Sequence, residues 1–151
     1  AGGGEGGTKG GRVCYVVRAG ERGVGARMGR GLARYSTSGG RALLALGSDE
    51  DVRPRVGEAW EAMAGITVKT LPQLLAHLKE IRETGVAYDR GETLEGISTM
   101  AVAIDTVLGR FCIALLIPGS RFQKHEALYR SEMLKCKEAM MREIGKITAR
   151  D

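Results

Sequence analysis

The chain has 151 residues, of which 43% are hydrophobic and 27% are charged, and its formal net charge is +5. This length suffices for one domain that buries a core without disulfides or metals. No stretch approaches the roughly 20 apolar residues that a bilayer crossing needs, and the glycine-rich start lacks the basic and apolar regions of a secretory signal, so we expect a cytoplasmic protein with no membrane partner.

The basic residues are concentrated in the first third of the chain. Residues 1–47 carry eight basic and two acidic side chains, whereas the remainder is nearly balanced. A basic region of this kind is one sign of nucleic-acid binding. Here, however, the arginines alternate with strand residues and glycines and form no continuous run, so we do not predict that this chain binds DNA or RNA directly.

Neither the cysteines nor the acidic residues predict a metal site or a cofactor. Cys14, Cys112 and Cys136 are far apart and lack C-x-x-C spacing, which favours buried, reduced thiols. Asp89, Glu92 and Glu95 form an acidic group, but their spacing lacks the alternating ligands of a calcium loop. We therefore predict no metal, no cofactor and no disulfide.

The first elements in chain order are strands. Residues 1–11 are mostly glycine and are predicted to form a disordered lead-in, because they bury too little apolar surface to offset their ordering entropy. Val13 to Arg18 is rich in β-branched residues and is followed by a turn composition, and Val24 to Met28 then forms a second strand. Together these segments predict a β-hairpin.

Three helices are predicted next. Arg41 to Leu46 forms a short helix, with Ser36 or Ser38 as its N-cap and Gly47 at its end. A second helix, capped by Ser48 or Asp49, runs to about residue 63, although Pro54 and Gly57 weaken its middle. The clearest signal is at residues 70–84, where a Thr cap, a proline in the first turn, an apolar stripe and a closing glycine all agree.

The second half of the chain predicts three strands and one long helix. The strands are Val86 to Asp89, Ser98 to Asp105 and Arg110 to Ile117, and the last two are joined by a tight turn at residues 106–109. Apolar residues at helical spacing predict a terminal amphipathic helix from about Gln123. This order favours an α+β fold, in which one antiparallel sheet is covered by helices and the terminal helix lies on a sheet face.

Three segments of the sequence carry a resemblance to a known family. They are Gly29 to Ala45, with the glycine-preceded helix RALLA; Leu78 to Asp89 followed by Glu92 and Gly96, LKEIRETGVAYD; and Met100 to Gly119, which holds the last two strands. In this order and spacing the chain resembles the C-terminal effector-binding domain of the isocitrate lyase regulator (IclR) family of bacterial transcription regulators.

This resemblance implies a domain organisation and a fold. Residues 12–151 would form an effector-binding domain with a GAF-like fold that assembles into homodimers or tetramers. A small-molecule pocket would lie between one sheet face and a glycine-rich loop. The resemblance also implies a winged helix-turn-helix domain upstream, which this chain does not contain, so DNA would be bound only through that missing domain.

Matching the family pattern residue by residue implies a set of ligand-binding positions. The implied pocket residues are Val24, Ser38, Gly39, Asp89, Ile97, Thr99, Leu116 and Pro118. Each also has a simpler interpretation. Asp89 would be an ordinary turn acid, and Ser38 with Gly39 would cap a helix. Val24 and the four strand residues would be core, where residues two apart share a sheet face.

One departure from the family bears on the ligand. The last core strand commonly carries two serines in this family, whereas the matching positions here are Leu116 and Pro118. Because a pocket polar group left unpaired costs about 1–3 kcal/mol, a hydrophilic keto acid would be held less well here. We therefore hypothesise a larger and more apolar effector, such as an aromatic carboxylic acid.

Two other classes of function remain open from the sequence. Asp89 and Glu92 could act as acid and base in a small intracellular enzyme. However, neither His77 nor His125 has an apparent nucleophile beside it, which argues against catalysis. Alternatively, the domain could be a structural or interaction module with a vestigial pocket. Our prediction is a non-catalytic sensing domain with no catalytic residues.

Overall fold

The computed structural model describes residues 8–9, 12–18, 37–56, 68–92, 95–107 and 109–148. The elements are β1 Thr8–Lys9, β2 Arg12–Arg18, α1 Ser38–Leu44, α2 Asp49–Val56, α3 Leu71–Thr84, β3 Ala87–Arg90, β4 Ile97–Thr106, β5 Gly109–Pro118 and α4 Gly119–Thr148. Val24, the predicted second hairpin strand and most of the glycine-rich loop lie outside the described residues.

The described strands form one antiparallel sheet in the order β1-β2-β5-β4-β3. β4 and β5 pair over ten residues each, from Ile97 opposite Pro118 to Thr106 opposite Gly109. The predicted strands β3, β4 and β5 and the tight turn are confirmed to within one residue at each end. The predicted α+β fold is also confirmed, because helices cover both faces of the sheet.

Strand alternation divides the core into two layers. On one face, small strand residues such as Ala87, Ala101 and Ala103 pack against α1 and α3. On the other face, larger residues such as Met100 and Ile113 pack against α4 through Phe122 and its neighbours. The small residues let α1 lie close to the sheet, since a Cβ atom added to Gly39 would lie only 3.1 Å from the sulfur of Cys112.

Helix α3 matches the prediction closely. The Thr70 hydroxyl accepts a hydrogen bond from Gln73 N–H, a proline lies in the first turn, and Gly85 ends the helix with φ of 80°. At the start of α2, Ser48 Oγ accepts from Asp51 N–H while the Asp51 carboxylate accepts from Ser48 N–H. This reciprocal capping fits the predicted start of that helix.

The predicted start of α1, its predicted C-cap and the predicted start of α4 were wrong. Helix α1 begins at Ser38, three residues before the predicted start, and its N-cap is Thr37, whose hydroxyl accepts from Gly40 N–H at 3.0 Å. Its C-cap is Ala45 instead of Gly47. Helix α4 begins at Gly119, four residues early, and has a kink at His125. Sequence pattern missed both starts because local glycines discourage a helix, whereas tertiary packing here supports one.

The lead-in also differs from the prediction at two positions. Thr8 and Lys9 pair with Val13 and Arg12 as the edge strand β1, although residues 1–11 were predicted to be disordered. Backbone hydrogen bonds to the open edge of β2 explain such pairing, since they require no buried side chain.

Candidate functional site

The implied pocket residues on the strands lie in two rows across the sheet, two residues apart along the strands. Asp89, Thr99 and Leu116 are direct neighbours in register, and Ile97 lies opposite Pro118. Directly opposed residues share a sheet face, as do residues two apart along a strand. All five side chains therefore lie on the same face as helix α1.

This end of the sheet face is less covered than the rest of it. Ala87, Ala101 and Cys112 are buried under α1 and α3. By contrast, Ile97, Thr99 and Leu116 are half-buried, and Pro118 is exposed. We call this partly open region, comprising Asp89, Ile97, Thr99, Leu116 and Pro118, the open face. The glycine-rich loop implied to close the pocket begins at Gly29, and its residues before Thr37 are outside the described part of the chain.

Helix α1 begins at the border of the open face. Ser38 is 2% exposed, and its hydroxyl lies 2.6 Å from that of Thr99, a hydrogen bond in which either group can donate. Gly39, the next residue, is the point of closest approach to Cys112. The start of the helix is thus fixed against β4 and β5, which brings the loop-derived and strand-derived candidates together.

Asp89 is a buried carboxylate with one hydrogen bond from the described part of the chain. The residue is 2% exposed, and its Oδ1 accepts a hydrogen bond from Glu92 N–H at 2.7 Å. Within the described residues, this is the only hydrogen bond to the Asp89 carboxylate. An ionised carboxylate has about four acceptor positions, and burying it with few of them used is costly. A donor at Oδ2 would reduce that cost.

Sequence reasoning missed Arg41, which lies beneath this site. The side chain is 1% exposed, and its guanidinium donates to the Tyr88 carbonyl at 3.3 Å and to Glu92 Oε2 at 3.1 Å. The available signal was a single arginine inside the otherwise small and apolar segment SGGRALL, together with an acidic turn later in the chain. Glu92, which would be the partner of Asp89 in the alternative enzymatic function, is therefore held in an ion pair.

The opposite side of β3 faces helix α4. Arg90 donates two hydrogen bonds to the Glu126 carboxylate, at 2.7 and 2.8 Å, and its guanidinium carbon lies 4.9 Å from the Tyr88 ring centre. The hydrogen bonds from Arg90 lower the pKa of Glu126, and those to Glu126 raise the pKa of Arg90. Tyr88 also makes an edge-to-face contact with Phe122, while its buried hydroxyl has no hydrogen-bond partner among the described residues.

The other predicted chemical groups are dispersed. His125 is exposed at the kink of α4, with its ring 6.1 Å from that of Tyr129, and His77 is half-buried on α3. Cys112 is buried as predicted, but Cys136 is exposed on α4, contrary to the prediction. Among the described residues, no three His, Cys, Asp or Glu side chains are close enough to hold a metal ion. No helix in the described ranges is both long and apolar enough to cross a bilayer.

Comparison with known proteins identifies the class of this domain. A family model described as bacterial transcriptional regulator IclR, C-terminal, matches residues 13–144. The fold and this match define the C-terminal domain of a bacterial transcriptional regulator. The chain belongs to the IclR family, which confirms the resemblance seen in the sequence.

Individual relatives agree with this assignment. The HTH-type transcriptional regulator TtgV of Pseudomonas putida is 32% identical over 111 residues, which cover 74% of this chain and 42% of TtgV. The chain therefore spans less than half the length of that relative.

Solved structures share the GAF-like fold. The C-terminal domain of the E. coli regulator KdgR has a TM-score of 0.75 at 22% identity, with 87% of each chain covered. The inducer-binding domain of the PobR transcription factor from Acinetobacter, a double mutant in complex with 3-hydroxybenzoic acid, has a TM-score of 0.70 at 17% identity. That match covers 85% of this chain and 86% of the PobR domain.

Proposed function

We propose that this domain binds a small aromatic acid carrying a hydroxyl group on the open face. The observation that carries the proposal is the register of Asp89, Thr99 and Leu116, which puts a buried carboxylate with one hydrogen bond from the described residues on the same sheet face as an apolar side chain. Binding would shift the domain between two arrangements and so change DNA binding by a winged helix domain elsewhere in the same protein.

The chemistry of the open face supports this class of ligand. Ile97, Leu116 and Pro118 offer an apolar surface suited to an aromatic ring. Asp89 is an acceptor, so the ligand group beside it must be a donor such as a phenolic hydroxyl. A carboxylate at the same place would be repelled by Asp89, and we therefore assign the ligand's acid group to the side of the open face away from Asp89.

Two further features support the same ligand class. The exchange of family serines for Leu116 and Pro118 disfavours small keto acids, which would lose hydrogen bonds there. In addition, the fold-related PobR domain was crystallised with 3-hydroxybenzoic acid, a molecule with one hydroxyl and one carboxylate on a ring.

We also propose that the domain senses its ligand without converting it. The enzymatic alternative requires Asp89 and Glu92 to act as acid and base, but Glu92 is paired with Arg41 and the family consists of transcriptional regulators. As part of a DNA-binding regulator the protein would act in the cytoplasm and would assemble as a dimer or tetramer. Light scattering after size-exclusion chromatography tests the assembly.

The ligand proposal is tested by calorimetry with 3-hydroxybenzoate, benzoate and pyruvate. A hydrogen bond to a charged group contributes about 1.5–3 kcal/mol, so 3-hydroxybenzoate should bind about tenfold or more tightly than benzoate, and pyruvate should bind more weakly than either. Leu116→Ser should weaken the aromatic acids and strengthen pyruvate. Val107→Ser, at a residue 81% exposed on the β4–β5 turn, is the control and should change neither.

Two results would overturn this proposal. Tight binding of pyruvate without measurable binding of either aromatic acid would contradict the apolar ligand class. Recovery of a chemically altered ligand after incubation would contradict the sensing role and favour the enzyme.

A further inference from the structure

Arg41 contacts the chain on both sides of Asp89. Its Nη1 donates to the carbonyl of Tyr88, the residue before Asp89, at 3.3 Å, and its Nη2 lies 3.1 Å from the carboxylate of Glu92, three residues after it. Glu92 in turn donates its backbone N–H to Asp89 Oδ1 at 2.7 Å. Together these three hydrogen bonds link Arg41 to Tyr88 and Glu92, and Glu92 to Asp89, around the end of β3.

Because Arg41 is buried, its guanidinium requires these hydrogen-bond partners. A guanidinium that is 1% exposed must keep its charge paired and its donors satisfied, since an unpaired buried charge is strongly disfavoured. Its planar fork can satisfy a carbonyl and a carboxylate at once, which the point charge of lysine cannot do in the same geometry. Glu92, which follows the turn at Gly91 where φ is 87°, is thus joined to helix α1 through Arg41.

We propose that Arg41 is a positioning residue for ligand recognition, which fixes the Asp89 carboxylate through Tyr88 and Glu92. By holding Glu92 in place, Arg41 keeps the Glu92 N–H on Oδ1, so that Oδ2 would be the oxygen that accepts from the ligand's donor. This inference rests on the proposed function for the ligand, although the arrangement around Asp89 can be measured without any ligand.

A merely structural role for Arg41 makes a different prediction. Arg82 provides the comparison, because it also bridges elements: it donates to the carbonyls of Ala45 and Gly47 and pairs with Asp49. It lies at the other end of α1, away from Asp89. If Arg41 only joined α1 to β3, its loss should resemble the loss of Arg82 and should affect stability alone.

The test compares Arg41→Met with Arg82→Met in two measurements. The first is the amide proton of Glu92 in the ligand-free domain, followed by NMR for its chemical shift and its hydrogen exchange. The second is the ratio of the affinities for 3-hydroxybenzoate and benzoate. We expect Arg41→Met to shift the Glu92 amide upfield, to remove its exchange protection and to reduce the ratio from about tenfold to about one. Arg82→Met should change neither.

Further variants test whether Arg41 acts through Asp89 and Glu92. Asp89→Asn should reduce the ratio by itself, and adding Arg41→Met to it should reduce the ratio no further, because both act through one carboxylate. Should Arg41→Met fail to fold, Glu92→Gln breaks the same ion pair from the other side and should also lower the ratio. If the wild-type domain does not distinguish the two ligands, the proposed function fails, and the Glu92 amide alone decides the role of Arg41.

The inference is overturned if Arg41→Met, or Glu92→Gln in its place, leaves the Glu92 amide and the affinity ratio as they are in the wild type. A lowered melting temperature with both of those readouts unchanged would show that Arg41 serves only to join α1 to the sheet.

Discussion

Single residues of β3 connect the two faces of the sheet. Asp89 belongs to the open face, whereas Tyr88 and Arg90, its neighbours along the chain, contact helix α4 through Phe122 and Glu126. Strand alternation makes this division unavoidable. A displacement of β3 by a ligand at Asp89 would therefore change the contacts of Tyr88 and Arg90 with the first part of α4, close to its kink.

The Arg90–Glu126 pair should make stability depend on acid pH. Because the folded-state pKa of Glu126 is lowered by its hydrogen bonds to Arg90, the pair stabilises the fold above the usual glutamate range and is lost as the pH falls through the lowered value. Arg90 is 54% exposed, so the effect is limited by solvent screening. We expect Glu126→Gln to reduce the free energy of unfolding by less than about 1 kcal/mol near neutral pH.

Urea denaturation at about pH 7 and about pH 3 measures the difference in unfolding free energy between the wild type and Glu126→Gln. This difference should shrink towards zero at the lower pH. Glu132→Gln controls for removal of a carboxylate from the same helix, since Glu132 is exposed and 3.4 Å from Lys135. A Glu126→Gln effect that is equal at both pH values would contradict the assignment.

At the scale of elements, α1 packs directly on the sheet and α3 packs against α1. Helix α1 approaches closely because Gly39 and the alanines of the strands leave room for it. Helix α3 packs against α1 and buries Leu74 and Leu78 completely. Its end is set by Gly85, whose left-handed conformation turns the chain directly into β3 and so determines where Asp89 lies.

Replacing Gly85 and Gly145 by alanine should have effects of opposite sign. At Gly85 the φ of 80° disfavours any side chain, and the new Cβ would lie 3.3 Å from Leu134, so we expect a loss of about 1–2 kcal/mol in unfolding free energy. Gly145 is helical with open space around it, so alanine should contribute up to about 1 kcal/mol there.

Chemical denaturation of both variants checks this pair. Because each variant adds the same methyl group, a gain in stability from Gly85→Ala would contradict the left-handed conformation of Gly85, and a loss from Gly145→Ala would contradict the open helical position of Gly145.

At the scale of the whole molecule, sequence pattern predicted the elements whose signals are local. Helix α3 has a cap, a proline and a closing glycine that agree, and β4 and β5 show strand composition around a tight turn. The start of α1 was not predictable in this way, because Gly39 and Gly40 resemble helix breakers until the close approach of Gly39 to Cys112 on β5 is known. Arg41 was missed for a related reason, since its partners lie 47 and 51 residues away in the chain.

The residues of the open face could likewise be placed from local sequence pattern only in part. Strand period alone placed Ile97 with Thr99 and Leu116 with Pro118, while the alignment of both pairs with each other and with Asp89 depends on register between three strands. Register is set by the complete hydrophobic pattern and by the turns. Family resemblance supplied the candidates, and the structure brings seven of them together; Val24 lies outside the described residues.

The ligand site is tested most directly by methyl NMR of the labelled domain during titration with 3-hydroxybenzoate. Ile97 and Leu116 lie on the open face, whereas Ile113 and Ile117 lie on the face covered by α4. We predict that the methyl signals of Ile97 and Leu116 shift with saturation while those of Ile113 and Ile117 change little. Shifts confined to Ile113 and Ile117, or no shifts at saturating ligand, would contradict a ligand site on the open face.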